Sequence, residues 1–139
     1  MNFLPAYLDA SAIVKLVVAE AESDALRVAL QEWPDRVTAS ISGVEVRRAL
    51  WRVGASRAVQ RRADAVLDAL VLIRFDDPVV GRAASFRQPR LRALDAIHLA
   101  TALTLGDDPA VFITYDARLA GAAEDEGLDV QHPGARRLR

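Results

Sequence analysis

Four acidic residues fall where a phosphate-directed site would need them. Asp9 follows the apolar "YL" and Asp116 follows "VFITY", so each closes a strand-like run and precedes a helix-like one. Glu45 lies one turn into "SGVEVRRAL", and Asp95 interrupts the apolar run "LRALDAIHLATAL". Taken singly, Asp9, Asp95 and Asp116 each read as a helix cap accepting backbone N–H bonds, and Glu45 reads as a solvated helix residue. Taken together they read as a site. Two unit charges about 4 Å apart repel by roughly 4 kcal/mol at an effective dielectric of about 20, so a converging set of four needs a counter-ion. Oxygen-only ligands in open geometry suit Mg²⁺ or Mn²⁺; zinc would prefer the histidine or cysteine that this chain barely supplies. Such an ion serves phosphoryl chemistry, because it acidifies a bound water and neutralises charge on a phosphate.

The elements that must position these acids alternate along the chain. "PAYLDA" reads as a short buried strand ending at Asp9, and "SAIVKLVVAEAESDALRVALQEW" as helix in two pieces around Glu20 to Ser23, broken at Trp33-Pro34. "RVTAS" is a second strand, followed by the helical "SGVEVRRALWRVG" with Gly54 as its stop and by the helical "RAVQRRADAVLDAL". "VLIRF" has strand character, and "DDPVVGRAASFR" opens with acids and proline as a helix does. After the helix around Asp95 come Gly106, the strand "AVFITYD", the short helix "ARLAGAAEDEG" and a last strand "LDVQH". This order predicts an α/β domain with a mainly parallel sheet covered on both faces. Ligands of such sheets bind beyond the carboxyl ends of the strands. Asp9 and Asp116 share that edge, and Glu45 and Asp95 can project to it from helix starts.

Other acids read as structural. Asp76, Asp77, Asp107 and Asp108 flank prolines in turns, while Asp24, Asp64 and Asp68 serve the polar faces of helices.

Composition fits one domain over residues 1–139, with 52% hydrophobic and 27% charged residues. The longest apolar candidate, "AIVKLVVA", is interrupted by Lys15, so no span of a bilayer is expected. The start "MNFLPAYLDA" does not read as a signal peptide, which leaves the cytoplasm as the default expectation. Without cysteine there is no disulfide, thiolate nucleophile or sulfur-ligated zinc. The formal net charge of -1 hides a bias: every basic residue except Lys15 is arginine, a fork suited to phosphate. That usage permits nucleic-acid contact without requiring it.

Four segments together resemble the PIN-domain family, specifically the VapC-type toxins of prokaryotic toxin–antitoxin pairs. They are "YLDASAIVKL", "TASISGVEVRRAL", "LRALDAIHLATAL" and "FITYDARLAGAAEDEGL", in this order and spacing over nearly the whole chain. The resemblance implies a three-layer α/β/α sandwich, a homodimer and a metal-dependent endoribonuclease whose acidic residues match Asp9, Glu45, Asp95 and Asp116. It also implies Mg²⁺ or Mn²⁺ as cofactor, products with a 5′-phosphate and a 3′-hydroxyl, and inhibition by a small VapB-like antitoxin. Asp9 and Asp95 are the choices for direct metal ligands, with Glu45 and Asp116 binding directly or through water.

Softer expectations surround this set. Ser11 and Thr114 could hold Asp9, Asp116 or a metal-bound water, or could be caps. His98, three residues after Asp95, suggests an acid–base dyad, but a satisfied, partly buried structural histidine fits better. Arg47, Arg48, Arg52, Arg57, Arg61 and Arg62 follow Glu45 on helical segments and could hold an RNA backbone, or face solvent or the antitoxin. Two rival functions stay open: an aspartate phosphotransfer domain, because "LDAS" also puts an aspartate after a strand, and a catalytically silent PIN-like binding module. The RNA target is not specified, because every RNA presents the same phosphates.

Overall fold

Three small or apolar residues decide where the sheet is centred. Ala6, Tyr7 and Leu8 are all fully buried and form β1 (Ala6–Leu8) in the computed structural model, which describes residues 4–105, 109 and 111–138. The remaining strands are β2 (Arg36–Ala39), β3 (Val71–Ile73), β4 (Val111–Ile113) and β5 (Val130–Gln131). They form a sheet in the order β3-β2-β1-β4-β5, and every pairing is parallel. Between them run α1 (Ala10–Val17), α2 (Ser23–Leu30), α3 (Ser42–Arg52), α4 (Arg57–Asp68), α5 (Asp77–Ser85), α6 (Ala93–Leu103) and α7 (Ala117–Asp125).

Strand alternation sorts the helices into layers. Ala6 and Leu8 of β1 and Val111 and Ile113 of β4 pack with Ile13, Leu26, Val46, Leu50 and Leu67 from α1 to α4. Tyr7 and Phe112 point the other way, their rings stacked 5.1 Å apart, into Leu99, Leu103 and Leu119 of α6 and α7. The result is the expected α/β/α sandwich with a parallel sheet. Its cover thins at the β3 edge, where Val71 is 55% and Leu72 45% exposed although the run "VLIRF" is apolar.

The strand order contains one reversal. The chain steps from β1 to β2 to β3, then returns to place β4 against the other side of β1. The crevice beyond the carboxyl ends of β1 and β4 is thus the switch point at which such sheets bind ligands. Register puts Leu8 beside Ile113, so the residues that follow them, Asp9 and Thr114, meet there.

Helix boundaries follow local chemistry. Ser56 caps α4, and Asp76 caps α5 with Pro78 in its first turn, so Asp76 and Asp77 belong to a helix start and not merely to a turn. Gly54 ends α3 with φ +65, and Ala55 N–H returns to the Leu50 carbonyl at 3.0 Å. The anticipated stop at Gly106, the turn acids Asp107 and Asp108, Ala110 and the chain ends at residues 1–3 and 139 lie outside the described residues; α6 closes earlier, at Leu103.

Two glycines should respond oppositely to alanine. Gly54→Ala forces a Cβ into the left-handed region and should cost about 1 kcal/mol. Gly81, inside α5 with nothing within 4 Å of an added Cβ, should gain roughly 0.5–1 kcal/mol as alanine. Chemical denaturation of both variants measures the two signs; equal signs would contradict the helix boundaries described above.

Candidate active site

Asp9 is fixed by three donors. It caps α1, its Oδ1 accepting the Ala12 N–H at 3.0 Å and the Ser11 hydroxyl at 2.7 Å, while the Thr114 hydroxyl donates to Oδ2 at 2.6 Å. Two acceptor directions on each oxygen leave one on Oδ2 open. Asp116 caps α7 by accepting the Arg118 and Leu119 N–H groups at 2.9 and 3.0 Å. Two hydroxyls join these caps. Thr114 accepts the Asp116 N–H at 3.1 Å while donating to Asp9, and Ser11 accepts the Tyr115 N–H at 2.9 Å while donating to Asp9. Ser11 and Thr114 therefore hold the carboxylates in place and cap no helix themselves.

Asp95 and Glu45 are held differently. Arg92 occupies the cap position of α6, so Asp95 is the third helical residue; among the described residues no hydrogen bond reaches its carboxylate. The capping reading of Asp95 is thereby corrected. Glu45 projects from the first turn of α3, its Oε1 2.6 Å from His98 Nε2. Asp9, Glu45, Asp95 and Asp116 all line one cavity of about 440 Å³, together with Ser11, His98, Arg52 and Arg92.

His98 is buried and bonded at both ring nitrogens. Its Nδ1 lies 2.7 Å from the Tyr7 hydroxyl, which also accepts the Ala39 N–H at 3.2 Å. Burial first, then the nearby Asp9, holds the Tyr7 hydroxyl well above the ordinary phenol range, so it keeps its proton. The Tyr7 hydroxyl thus joins one ring nitrogen, Nδ1, and the other, Nε2, faces Glu45. The histidine is satisfied, as sequence suggests, but it faces Glu45 where a dyad with Asp95 was the temptation. Sequence reasoning missed Tyr7. The available signal was a tyrosine inside a fully buried strand, whose hydroxyl has to find a partner.

Electrostatics register the crowding. Burial raises the Asp9 carboxyl against the opposing pull of His98, Thr114, Ser11 and the Ala12 N–H. Asp95 is also raised, first by burial and next by Asp116, with Asp9 and Glu45 adding to the effect and His98 opposing it. Yet among the described residues no three His, Asp or Glu side chains close into a group that could by itself enclose a metal ion. The donor set still fits a hard divalent cation: Asp95 is uncommitted, Asp9 has a free lone-pair direction, and all four groups offer oxygen.

The arginines divide. Arg52 lines the acidic cavity, and Arg48 joins it in an adjoining cavity of about 290 Å³ that also touches Glu45. Arg47 is engaged by Asp64 at 2.9 Å and by the Gly43 carbonyl at 2.9 Å, and Arg62 donates to the Val17 carbonyl at 3.2 Å. Arg57 and Arg61 are exposed on α4. Arg92, absent from the sequence-derived set, lines the acidic cavity.

Comparison with known proteins agrees with this architecture. The PIN domain family model matches residues 6–125. Ribonuclease VapC46 of Mycobacterium tuberculosis is 48% identical over 128 residues, covering 91% of this chain and 96% of that protein. The crystal structure of M. tuberculosis VapC20, described as a Sarcin-Ricin loop cleaving toxin, superposes with a TM-score of 0.72 at 16% identity, covering 92% of this chain and 99% of that one. VapBC2 from Rickettsia felis, bound to a DNA fragment from its promoter, gives a TM-score of 0.73 at 14% identity over 94% of this chain and 99% of its own. No described helix is long and apolar enough to cross a membrane. By the family match over most of its length and by its fold, the chain belongs to the PIN-domain family, among the VapC proteins.

Proposed function

We propose that the chain is one PIN-like nuclease domain, a metal-dependent endoribonuclease acting as the toxin of a VapBC-type pair. The observation that carries this reading is the meeting of four carboxylates from four different elements in one cavity at the switch point of the sheet. The ribonuclease name of the 48% identical relative supports the substrate class. Asp9, Asp95, Glu45 and Asp116 would hold Mg²⁺ or Mn²⁺, with Asp9 and Asp95 as the direct ligands. When bound, such an ion supplies charge neutralisation and an acidified water.

The chain's own groups supply the rest. Glu45, with Oε1 taken by His98 Nε2, keeps Oε2 to orient the attacking water and accept its proton. Arg52 and Arg92 at the cavity wall hold the phosphodiester. Water oxygen bonds to phosphorus as the P–O3′ bond breaks; O3′ takes a proton from solvent water and Glu45 returns its own to solvent, giving a 3′-hydroxyl and a 5′-phosphate. Arg48 belongs to the same contact surface. A phosphotransfer role for Asp9 is disfavoured, because its carboxylate is 4% exposed and already takes three donors. A VapB-like antitoxin and a homodimer complete the proposal. The Rickettsia VapBC2 structure supports the first. For the second, the apolar groove between α5 and α6, where Val80 is 48% exposed, is surface that another copy would cover.

Asp95→Asn separates a ligand from a spectator. Folding raises the Asp95 pKa, so its ionised form opposes folding at neutral pH, and the uncharged variant should melt at or above wild type in EDTA. Saturating Mn²⁺ should stabilise wild type, by about 2.7 kcal/mol at a hundred times the dissociation constant, and the variant less. RNA cleavage should fall at least about a hundredfold. Calorimetry with EDTA and Mn²⁺, beside a cleavage assay, measures all three; near-native cleavage would remove Asp95 from the site.

His98 should tolerate glutamine better than leucine. Glutamine still offers Glu45 an N–H, whereas leucine leaves the half-buried Glu45 to water and strands the buried Tyr7 hydroxyl at about 1–3 kcal/mol. His98→Gln should retain cleavage within about tenfold and His98→Leu should lose more, chiefly in kcat. A loss in His98→Gln as deep as that in Asp95→Asn, with the fold intact by circular dichroism, would give the imidazole a part in the chemistry.

A further inference from the structure

A second cavity lies beside the acidic one and plays no part in the mechanism above. It has a volume of about 660 Å³ and runs between the segment just before α6, with Arg90 and Leu91, and α7, with Ala117, Arg118, Gly121 and Asp125. Consecutive residues line the two cavities. Arg92 and Asp116 border the acidic cavity, and their neighbours Leu91 and Ala117 border the cleft.

We infer that this cleft binds the RNA nucleotide that flanks the scissile phosphate, an inference that rests on the endoribonuclease reading above. Its chemistry is graded along α7. Arg118, Gly121 and Asp125 are spaced i, i+3 and i+7, so they share one helical face. Arg118, nearest the acids, meets Asp116 only at 3.9 Å and is free to turn to a phosphate. Arg90, exposed on the opposite wall, adds a second guanidinium. Pro89 and Ala117 offer apolar surface for a base, and Asp125, about 10 Å further along the helix, offers an acceptor for base amino groups. Phosphate donors near the chemistry and a base-edge acceptor beyond it match a nucleotide. An acidic peptide would gain from the arginines but would meet Asp125 with like charge.

Gly121 is the test point. Mid-helix glycine costs α7 about 1 kcal/mol relative to alanine, and an added Cβ there meets nothing within 4 Å, so glycine is not required by packing. A larger side chain at this position projects into the cleft. Gly121→Leu therefore fills the proposed site while favouring the helix, and Arg90→Glu reverses one wall's charge; neither residue borders the acidic cavity.

Binding of a fluorescein-labelled single-stranded RNA oligonucleotide, measured by anisotropy in EDTA over a salt series, reads the cleft without cleavage. Gly121→Leu should weaken RNA at least about tenfold, roughly 1.4 kcal/mol, because the leucine occupies the space of the nucleotide. Arg90→Glu should weaken it too and make the log–log salt slope shallower by about 0.7, one phosphate contact on a single strand. Melting temperature and its response to Mn²⁺ should match wild type, or rise for Gly121→Leu. Hydrolysis of bis(p-nitrophenyl) phosphate, a diester small enough for the acidic cavity alone, should be unchanged in both variants. If wild type hydrolyses neither RNA nor this diester, the endoribonuclease reading fails while the anisotropy still judges the cleft. RNA affinity and salt slope that stay at wild-type values in both folded variants would overturn the inference. So would variants that keep RNA but lose a labelled poly-glutamate peptide bound by wild type, which would make the cleft a peptide site.

Discussion

The structure depends on burying one carboxylate at the end of its central strand. Asp9 is 4% exposed, and an ionised carboxylate so placed is tolerated only where donors replace its water. One donor, the Ala12 N–H, comes from the helix that Asp9 starts; another, the Thr114 hydroxyl, arrives from β4. The Leu8–Ile113 register brings residue 114 beside residue 9. The pairing of β1 with β4, the reversal in strand order and the acid at the crevice are thus one requirement met by one arrangement. Ser11 extends it to the next loop through the Tyr115 N–H.

Cap and site turn out to be compatible roles. Asp9 and Asp116 both cap helices, and capping orients their carboxylates through the backbone, the stiffest anchor available. With Asp95 and Glu45 in the first turns of α6 and α3, four helix N-termini serve the same cavity. Each helix end favours a nearby anion by roughly 0.3–1 kcal/mol, against about 4 kcal/mol for a pair of charges 4 Å apart at moderate dielectric. The dipoles soften the repulsion without cancelling it. Burial first, and Asp116 next, raises the carboxyl of Asp95, the one acid of the four with no hydrogen bond among the described residues. A cation is the remaining way to lower that energy with all four acids ionised.

Much of this was legible before the coordinates, because alternating periodicities and turn residues are local signals. Strand runs, the break in the first helical stretch and the Gly54 stop each follow from a few adjacent residues. The placement of the four acids in one cavity was legible from strand-end and helix-start positions, since a parallel sheet sends both to the same edge. What stayed hidden depends on packing across distance. The Tyr7–His98–Glu45 chain spans 91 and 53 residues, and no local pattern encodes it. Nor does sequence show that "VLIRF" lies at an exposed edge, because strand character does not fix strand order. Proximity to Glu45 in sequence points to Arg48 and Arg52, which line cavities beside it, and gives no sign of Arg90, Arg92 and Arg118, which reach the cavities from other elements.

Those arginines bear on a difficulty that any acidic site for a polyanion must meet. A cavity of four carboxylates repels a phosphate. Three of the acids have an arginine close in sequence: Arg48 three residues after Glu45, Arg92 three before Asp95 and Arg118 two after Asp116. Arg48 shares a helical face with Glu45, and Arg92 stands at the cap of the helix that carries Asp95. The guanidiniums lie within one or two turns of the acids, comparable to a screening length of about 8 Å at physiological ionic strength, so an approaching strand feels both signs together. Charges of both signs are therefore interleaved around the cavity, carboxylates beside guanidiniums. Lysine would supply the same charge, but without the planar fork that holds a phosphate by two parallel hydrogen bonds, and the chain's single lysine is already engaged with Glu22 at 2.9 Å.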